Sequence, residues 1–404
     1  MPVELFQVIL DKSFMHKNLP QITFTIPSLP LWKGVVSTPV VEVFPFDLCW
    51  DYTGFIRQTT ELEILEEIYT GYSKEDYKFI SPPPGSSDWG NVLAKFYLDE
   101  FLTHIDDLDN KHILEIGAGT TGFARLLMER FNIASYTIID PSIHENVDDI
   151  RIIRKFFPCN DELTQSYDLV ISLNTVEHVA DVSLFLRSVK KLLRNKNGES
   201  KAFISLPDAG SQLSAGDLSV LLHEHINYFS VDSFEQYIAN NGLVTHSLTV
   251  KNDSIFACLA SKQSTKIIEH VNIPISSTFL EGISKMTQVL LNFGKYLKDF
   301  AERRSIIFHG ATPGLNSFLF LTKLGNCPAV IITDGDEEKH GKFLPTHNVA
   351  IVSPSATLYQ GADLVIISAP SFYKPIESHI RGLISKSTPI IPLSFEGLTI
   401  LQDL

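Results

Sequence analysis

At roughly 100–200 residues per domain, a chain of 404 residues makes two to four domains. Its formal net charge of −14 at pH 7 argues against a nucleic-acid binder, which needs a basic surface to neutralise phosphates. With 44% hydrophobic and 20% charged residues, the chain can bury a large core, which excludes wholesale disorder.

The cysteines and the N-terminus indicate a compartment. The four cysteines are scattered and form no CxxC pair: Cys49, Cys159, Cys258 and Cys327. Such spacing is typical of a reducing environment rather than of a disulfide framework. The N-terminus lacks the features of a signal peptide, and no apolar run approaches the roughly 20 residues of a membrane span. We therefore expect a cytoplasmic monomer or homodimer that binds neither nucleic acid nor a membrane.

The first hundred residues form an irregular α+β region in this interpretation. Prolines separate β-branched and aromatic runs, which predicts strands over Gln21–Ile26 and Val40–Phe46. A helix is predicted over Thr60–Tyr69. The proline-rich stretch Ser81–Gly85 is predicted to interrupt the regular secondary structure. Apolar residues at helical spacing then predict a helix over Trp89–Leu102.

From residue 111 the pattern alternates regularly between strand and helix. The predicted strands are His112–Ile116, Ser135–Ile139, Tyr167–Leu173, Lys201–Ser205, Val244–Val250 and Ile255–Leu259. The predicted helices are Gly122–Arg130, Ile150–Phe157, Val182–Leu193 and Ser230–Asn241. An amphipathic connecting helix, Phe279–Arg303, is followed by strands at Ser305–Phe308, Ala329–Thr333, Ala362–Ile367 and Thr388–Ile391 and by a helix at Gly314–Leu324.

This alternation predicts the α/β class with two doubly wound, Rossmann-like units, each built on a parallel sheet. We divide the chain into an N-terminal region (1–88), a first doubly wound domain (89–265), a connecting helix (266–304) and a smaller C-terminal Rossmann-like domain (305–404).

The first glycine loop, Gly117-Ala-Gly-Thr-Thr-Gly122, lies where a predicted strand ends and a helix begins. Such a loop serves NAD, FAD and S-adenosylmethionine (SAM) domains, or only makes a tight turn. Its neighbours favour SAM: Glu115 and the segment Asn174–His178 resemble class I methyltransferases, and Asp140 is placed to accept hydrogen bonds from a ribose. The candidate SAM-binding residues are Glu115, Gly117, Ala118, Gly119, Gly122, Asp140, Pro141, Asn174 and His178. The sulfonium cation of SAM suits a pocket with an acidic edge. The alternatives for this loop are a nicotinamide-cofactor site and a turn with a purely structural role.

The second chemical signal is His223-Glu224-His225. Three ionisable residues in a row cannot all face the same way, so we expect one or two of them to point into a cleft. Histidine titrates near neutral pH, and an adjacent carboxylate can tune it as a proton acceptor. The sequence has no HExxH or CxxC motif to accompany the segment, so no metal is predicted. The alternative to a histidine base is a solvated polar turn without a catalytic role.

A second glycine loop, Gly310-Ala-Thr-Pro-Gly314, repeats the arrangement, with Asp334 at the end of the next strand. A helix that begins at Gly314 could bind a phosphate at its N-terminus. Lys339, His340 and Lys342 are the nearest basic residues. A unit that serves only as a scaffold, with a solvated basic loop, is an equal alternative.

Several segments together resemble the nucleotide-sugar C-methyltransferases of deoxysugar biosynthesis. They are the first glycine loop, Asp140–Ser142, Leu222–Ser230, Phe308–Asn316, Lys339–Pro345 and Ile351–Pro354, and the resemblance spans residues 40–400. It implies that the middle domain binds SAM and that the C-terminal domain helps to hold a nucleotide-linked sugar, a small-molecule substrate. Candidate substrate-binding residues are Gly310, Thr312, Gly314, Asn316, Asp334, Lys339 and Lys342.

The resemblance also implies methylation of a carbon next to a ketone, after a base removes its proton. By this resemblance His225 is the base and Glu224 its supporting carboxylate, and His223 and Tyr228 join the catalytic candidates. The nearest alternative is an O- or N-methyltransferase of a sugar or another small natural-product or polysaccharide precursor. An oxidoreductase is disfavoured by Glu115, and a non-catalytic binding protein by the intact glycine loop.

The chain departs from this family at three places. Leu222 replaces the family's tyrosine, which removes a hydroxyl that could bond a keto oxygen, and Asn252–Phe256 lacks the family's arginine. The family's N-terminal four-cysteine zinc site is reduced to Cys49, and no other cysteine precedes Cys159. One thiol cannot hold structural zinc, so no zinc is expected.

Overall fold

The structure of the chain is a computed structural model that describes residues 7–11, 21–50, 55–58, 88–159, 162–163, 165–194, 199–261, 277–384 and 387–402. Within these ranges the chain forms a five-stranded, a seven-stranded and a four-stranded sheet. The predicted helix Thr60–Tyr69 and the interruption at Ser81–Gly85 lie outside the described residues. Among the described helices, none has the length and apolar composition needed to cross a bilayer.

The five-stranded sheet is antiparallel and belongs mainly to the N-terminal region. Its strands are β1 (Gln7–Asp11), β2 (Gln21–Pro30), β3 (Val43–Trp50), β4 (Ile56–Gln58) and, from further along the chain, β10 (Asn227–Tyr228). The pairing of β10 with β4 attaches this sheet directly to the segment that follows the His-Glu-His sequence.

The seven-stranded sheet forms the middle of the molecule. Its strands are β5 (His112–Ile116), β6 (Ser135–Ile139), β7 (Ile150–Ile153), β8 (Leu169–Leu173), β9 (Lys201–Pro207), β11 (Leu243–Lys251) and β12 (Ser254–Ser261). They lie in the order β7-β6-β5-β8-β9-β12-β11; the first five are parallel, and β12 runs antiparallel to both of its neighbours.

Helices cover both faces of this sheet. They are α1 (Asp88–His104), α2 (Gly122–Arg130), α3 (Val182–Leu192) and α5 (Val231–Asn240), whereas α4 (Ala209–Ala215) buries Ala209 and Leu213 in a separate core. On β5, Ile113 joins the core formed with α1 and α2, whereas Leu114 joins the core formed with α3 and α5. Successive strand side chains point to opposite faces, so the sheet is apolar on both sides and is covered on both.

One predicted helix is wrong. Ile150–Ile153 forms strand β7 rather than the first turn of a helix over Ile150–Phe157, and it pairs in parallel with β6, Ile150 opposite Tyr136. A short apolar run does not reveal its own period, and three of the four residues are β-branched isoleucines, which suit a strand.

The C-terminal half confirms a second doubly wound unit. The connecting helix consists of α6 (Ser277–Gln288), a π-helical turn (Val289–Phe293) and α7 (Gly294–Ala301). The parallel strands β13 (Ile306–His309), β14 (Val330–Thr333), β15 (Leu364–Ile367) and β16 (Ile390–Pro392) follow in the order β14-β13-β15-β16. Their helices are α8 (Pro313–Thr322), α9 (Ala356–Gln360), α10 (Tyr373–Arg381) and α11 (Phe395–Gln402).

One hydrophobic core joins the N-terminal sheet, the connecting helix and the C-terminal unit. It contains Phe46 of β3, Phe293 of the π-helical turn and Phe318 of α8, all fully buried. The same core contains Leu213 and Leu222, so the burial of apolar side chains also packs the segment after β9 against the C-terminal unit. The predicted α/β class with two doubly wound units is confirmed.

Candidate active site

A cavity of about 720 Å³ lies between the seven-stranded sheet and the C-terminal unit. Its walls come from the loops after β5, β6, β8 and β9 and from the loops after β13 and β15. In doubly wound proteins, ligands bind at this carboxyl edge of the strands. Both glycine loops therefore open onto one cavity.

The first glycine loop depends on the absence of a side chain at Gly117. Its φ of +72° lies in the left-handed region, and a Cβ there would stand 2.2 Å from Oγ1 of Thr175. The loop is held from the other side by Asp140, whose Oδ2 accepts a hydrogen bond from the backbone N–H of Gly119 at 2.8 Å. Oδ1 of the same carboxylate accepts one from the backbone N–H of Ser142 at 2.7 Å.

Glu115 is the penultimate residue of β5, just before this loop, and is almost fully buried. Burial raises the pKa of its carboxyl to about 8, although a hydrogen bond from the Tyr136 hydroxyl at 2.7 Å opposes that rise. At pH 7 this carboxyl is mostly protonated. The acidic edge expected from the sequence therefore rests on Asp140 more than on Glu115.

Asn174 contributes an acceptor to the cavity wall. Its backbone is left-handed, with φ at 48°, and its Nδ2 donates to the Tyr97 hydroxyl. Its Oδ1 is buried and has no hydrogen-bond partner among the described residues. A buried acceptor without a partner costs free energy until a ligand donor bonds it, and SAM carries such a donor in its ammonium group. With the glycine cradle and the Asp140 carboxylate, these residues fit SAM.

The predicted cofactor residues lie together. All of them except Gly122, which begins α2, line the cavity. Sequence reasoning missed a further part of the wall, where Trp89, Leu93 and Tyr97 of α1 line the cavity at four-residue intervals. The sequence showed the helical spacing of these residues, but such spacing does not distinguish a helix face that contacts a ligand from one that contacts the core.

The His-Glu-His segment divides between two sides. His225 and Glu224 line the cavity. His223 lies instead against Phe46 of β3, with ring centroids 5.4 Å apart and Nε2 3.3 Å from the carbonyl oxygen of Pro45. The structure therefore brings two of the three residues to the cavity and uses the third in packing.

Tyr228, a further catalytic candidate, is also turned inward. It is buried, and its hydroxyl donates to the carbonyl oxygen of Leu222 at 3.0 Å. This bond fixes the residue before the His-Glu-His segment, and Leu222 is itself one of the residues that line the cavity.

His178 stands beside His225, with ring centroids 4.8 Å apart. Its Nδ1 lies 3.1 Å from the carbonyl oxygen of Glu224, so Nδ1 carries the hydrogen and donates it. Burial lowers the pKa of His178 to about 4. Burial, with a smaller repulsion from His178, holds the pKa of His225 well below its usual value. Both imidazoles are therefore neutral at pH 7.

Buried carboxyls complete this wall. Burial raises the pKa of both Glu177 and Glu224 to about 8. Oε2 of Glu177 has no hydrogen-bond partner within the part of the chain that the structure describes. Glu177, His178 and His225 each offer one ligand atom, and these atoms lie within 4.8 Å of one another, which is a spacing that could hold a metal ion.

Two amide side chains fix the segment in place, and the sequence did not identify either. Nε2 of Gln58, in the N-terminal sheet, donates to the carbonyl oxygens of His223 at 2.8 Å and His225 at 2.7 Å. Nδ2 of Asn227 donates to the carbonyl oxygen of Val179 at 2.7 Å. Together they tie the N-terminal sheet, the loop after β8 and the candidate base into one framework.

The second glycine loop reaches the cavity through Thr312, and Lys339 reaches it from the loop after β14. Oδ2 of Asp334 accepts hydrogen bonds from the backbone N–H of Ala311 at 2.7 Å and from Nζ of Lys339 at 2.9 Å. Asp334 thus holds this loop as Asp140 holds the first.

The other predicted substrate residues have structural contacts. Gly310 turns the chain at a φ of 102°, and Gly314 packs closely on Ser219. Asn316 is fully buried and accepts a hydrogen bond from Thr346 at 2.8 Å. Lys342 is half-buried, with its carbonyl oxygen bonded to the N–H of Ile351.

Two family models match the chain. Residues 92–248 match a methyltransferase domain, and residues 245–392 match a C-methyltransferase C-terminal domain. No curated protein matches the sequence.

Several solved methyltransferase structures are similar to part of the chain. A putative S-adenosylmethionine-dependent methyltransferase from Listeria monocytogenes is 10% identical, with a TM-score of 0.36 over 43% of this chain and 100% of its own. An S-adenosylmethionine-dependent methyltransferase from Mesorhizobium loti is 13% identical, with a TM-score of 0.34 over 41% and 97%. The N,N-8-amino-8-demethyl-D-riboflavin dimethyltransferase from Streptomyces davawensis is 16% identical, with a TM-score of 0.35 over 43% of this chain and 58% of its own.

Proposed function

We propose that the chain, a SAM-dependent methyltransferase, methylates a carbon atom next to a ketone in a nucleotide-linked deoxysugar. The observation that carries this proposal is the position of His225 and Glu224 in the wall of the cavity that both glycine loops reach. A C-methyltransferase C-terminal domain over residues 245–392 supports carbon as the acceptor atom.

SAM, when bound, supplies the electrophilic methyl group that a nucleophilic carbon attacks. Gly117 and Gly119 would hold it, because bare backbone lets a ligand approach closely. The carboxylate of Asp140 would accept bonds from its hydroxyls, and Oδ1 of Asn174 would accept one from its ammonium group.

His225 acts on the substrate as the general base. The bond between the α-carbon and its hydrogen breaks, the proton moves to a ring nitrogen of His225, and the electron pair moves into the carbonyl group to give an enolate. The negative charge of the enolate stabilises the imidazolium that forms. The Glu224 carboxyl acts on this wall through His178, because its Oε1 lies 3.9 Å from Nδ1 of His178. The hydrogen bond from Gln58 to the carbonyl oxygen of His225 keeps the ring in place for this step.

Thr312 and Lys339 would hold the nucleotide part. Thr312 caps α8 by accepting a hydrogen bond from the N–H of Leu315 at 3.2 Å, and a helix N-terminus favours phosphate. Lys339 adds a cation that the Asp334 carboxylate holds beside the loop.

One observation favours a second candidate, transfer to oxygen or nitrogen on a related small molecule. Leu222 lines the cavity at the position where the resembling family has a tyrosine, so the cavity wall lacks that hydroxyl. A site without that hydroxyl stabilises an enolate oxygen less well, whereas a heteroatom acceptor forms no enolate.

Two measurements test the proposal. A SAM-consumption screen against dTDP-, GDP- and CDP-linked 4-keto-sugars should identify a substrate. Exchange of solvent deuterium into that sugar, without methyl transfer, should then occur with the wild type and fall at least about a hundredfold in His225→Ala. Methyl transfer without any exchange would favour the heteroatom acceptor and overturn carbon methylation.

A further inference from the structure

The cavity holds a second chemical possibility in the cluster formed by Glu177, His178 and His225, named here the EHH cluster. All three residues line the cavity, and their ligand atoms lie within 4.8 Å of one another. We propose that the EHH cluster is a binding site for a divalent transition-metal ion, best suited to Zn²⁺, which takes His225 out of its role as a base. The site departs from the sequence-based expectation of no metal, and it is separate from the lost cysteine site near Cys49.

The donor set selects the class of ion. Two imidazole nitrogens and one carboxylate oxygen are the ligands of many zinc sites, in which a fourth position remains open. Hard ions such as Mg²⁺ and Ca²⁺ prefer oxygen ligands throughout, so they should bind this set poorly. The open position here would face the cavity that the three residues line.

An unpartnered acceptor points to a missing ligand. The Glu177 side chain is only 2% exposed, and within the described ranges its Oε2 has no hydrogen-bond partner. A buried carboxyl oxygen with nothing to bond is costly, so native sites usually supply a donor or a cation to it. A metal ion that the carboxyl binds through Oε2 would supply that partner.

His178 is already oriented as a metal-binding histidine. Its Nδ1 donates to the carbonyl oxygen of Glu224 at 3.1 Å, which leaves Nε2 as the nitrogen with the lone pair. That nitrogen lies 3.8 Å from Oε1 of Glu177. Metal-ligating histidines are typically fixed through their second nitrogen in this way, often by a backbone carbonyl.

The framework around the cluster limits its rearrangement to small shifts. The N–H of Ile226 donates to the carbonyl oxygen of Glu177 at 2.9 Å, which links the two chain segments that carry the ligands. Zinc bonds of about 2.0–2.2 Å place tetrahedral ligand atoms roughly 3–4 Å apart. Side-chain shifts of about 1 Å would therefore bring the three ligand atoms to these distances.

Binding is tested on the full-length, tag-free protein after removal of metals with a chelator. Titration with Co²⁺ should give the intense visible absorption of a four- or five-coordinate ion, one ion per chain should bind, and Zn²⁺ but not excess Mg²⁺ should displace it. Glu177→Gln and His178→Gln should each weaken binding at least about tenfold. The matched exposed controls Glu129→Gln and His246→Gln should bind as the wild type does. Circular dichroism and a cooperative urea transition like that of the wild type show that each variant is folded.

Absence of the Co²⁺ bands in the wild type, or equal binding by the two cluster variants and the two controls, would overturn the metal site. The loss of base activity additionally rests on the proposed function. Zn²⁺ should suppress deuterium exchange into the keto-sugar, and a chelator should restore it. If Zn²⁺ binds at the EHH cluster and exchange continues, the metal site stands and the assignment of His225 as the base fails.

Discussion

A Cβ atom at Gly117 would stand 2.2 Å from Oγ1 of Thr175, far inside van der Waals contact. The same glycine has a φ of +72°, so a larger residue is strained twice, by its backbone and by its neighbour. The close approach of Gly117 to Thr175 packs the loop after β5 against the loop after β8, and both loops line the cavity.

Gly117→Ala should weaken SAM binding at least about tenfold, because a left-handed non-glycine residue alone costs about 1–3 kcal/mol and the loop must also move away from Thr175. Isothermal titration with SAM measures the effect. Gly335→Ala is the matched control, because a Cβ there has no atom within 4 Å. Equal SAM affinity in the two variants would show that the loop does not bind the cofactor.

The two aspartates that hold the glycine loops should have separate effects. Asp140→Ala removes the acceptor for the N–H of Gly119, and SAM binding should weaken by about 1.5–3 kcal/mol, the range for a hydrogen bond to a charged group. Asp334→Ala removes the same kind of bond to Ala311 in the second unit and should leave SAM affinity unchanged. Loss of SAM binding in Asp334→Ala would contradict the assignment of the first loop alone to the cofactor.

Local sequence patterns predicted the first elements of the seven-stranded sheet well. The strands His112–Ile116 and Ser135–Ile139 and the helix Gly122–Arg130 have the bounds that periodicity and the glycine loop indicated. These elements can be predicted because their apolar runs and the turn between them lie within a few residues of one another. Strand β7 was not predicted, because it is a strand through its pairing with β6. Helix α4 was not predicted either, because seven residues are too few to show a helical period.

The candidate site was predictable only where its residues are close in sequence. The glycine loop and the His-Glu-His segment are such motifs. Gln58 could not be found in this way, because its bond to His225 spans 167 positions and arises only when the N-terminal sheet packs against the middle domain. The sequence likewise did not separate His223 from His225, since their opposite directions follow from the packing of His223 on β3.

The stability of the protein should depend on the pH through Glu115. Burial raises the pKa of this carboxyl to about 8 from its usual 4.5, so the folded state holds the proton more tightly than the unfolded chain does. This contribution is fully present below about pH 4.5 and is lost as the pH rises through 8. Between these values it lowers the free energy of unfolding by up to about 1.4 kcal/mol per pH unit.

Urea unfolding of the wild type and of Glu115→Gln from pH 5 to pH 9 measures this effect. The glutamine variant stays neutral and can still accept from Tyr136, so its free energy of unfolding should fall less steeply with pH. Glu129→Gln, at an exposed position, should follow the wild type. Parallel curves for all three proteins would show that Glu115 does not hold a proton in the folded state.

Gln58 should affect catalysis without affecting the cofactor. Gln58→Ala removes the donor to the carbonyl oxygens of His223 and His225, so the proposed base loses its alignment while the glycine loop keeps its own contacts. We expect kcat for methyl transfer to fall about tenfold to a hundredfold, since small misplacements of a catalytic group have effects of this size, whereas the Kd for SAM should stay within about twofold. Gln360→Ala, at an exposed position, is the control for a lost amide. A parallel loss of SAM affinity in Gln58→Ala would mean that the N-terminal sheet supports the whole cavity rather than the His225 wall.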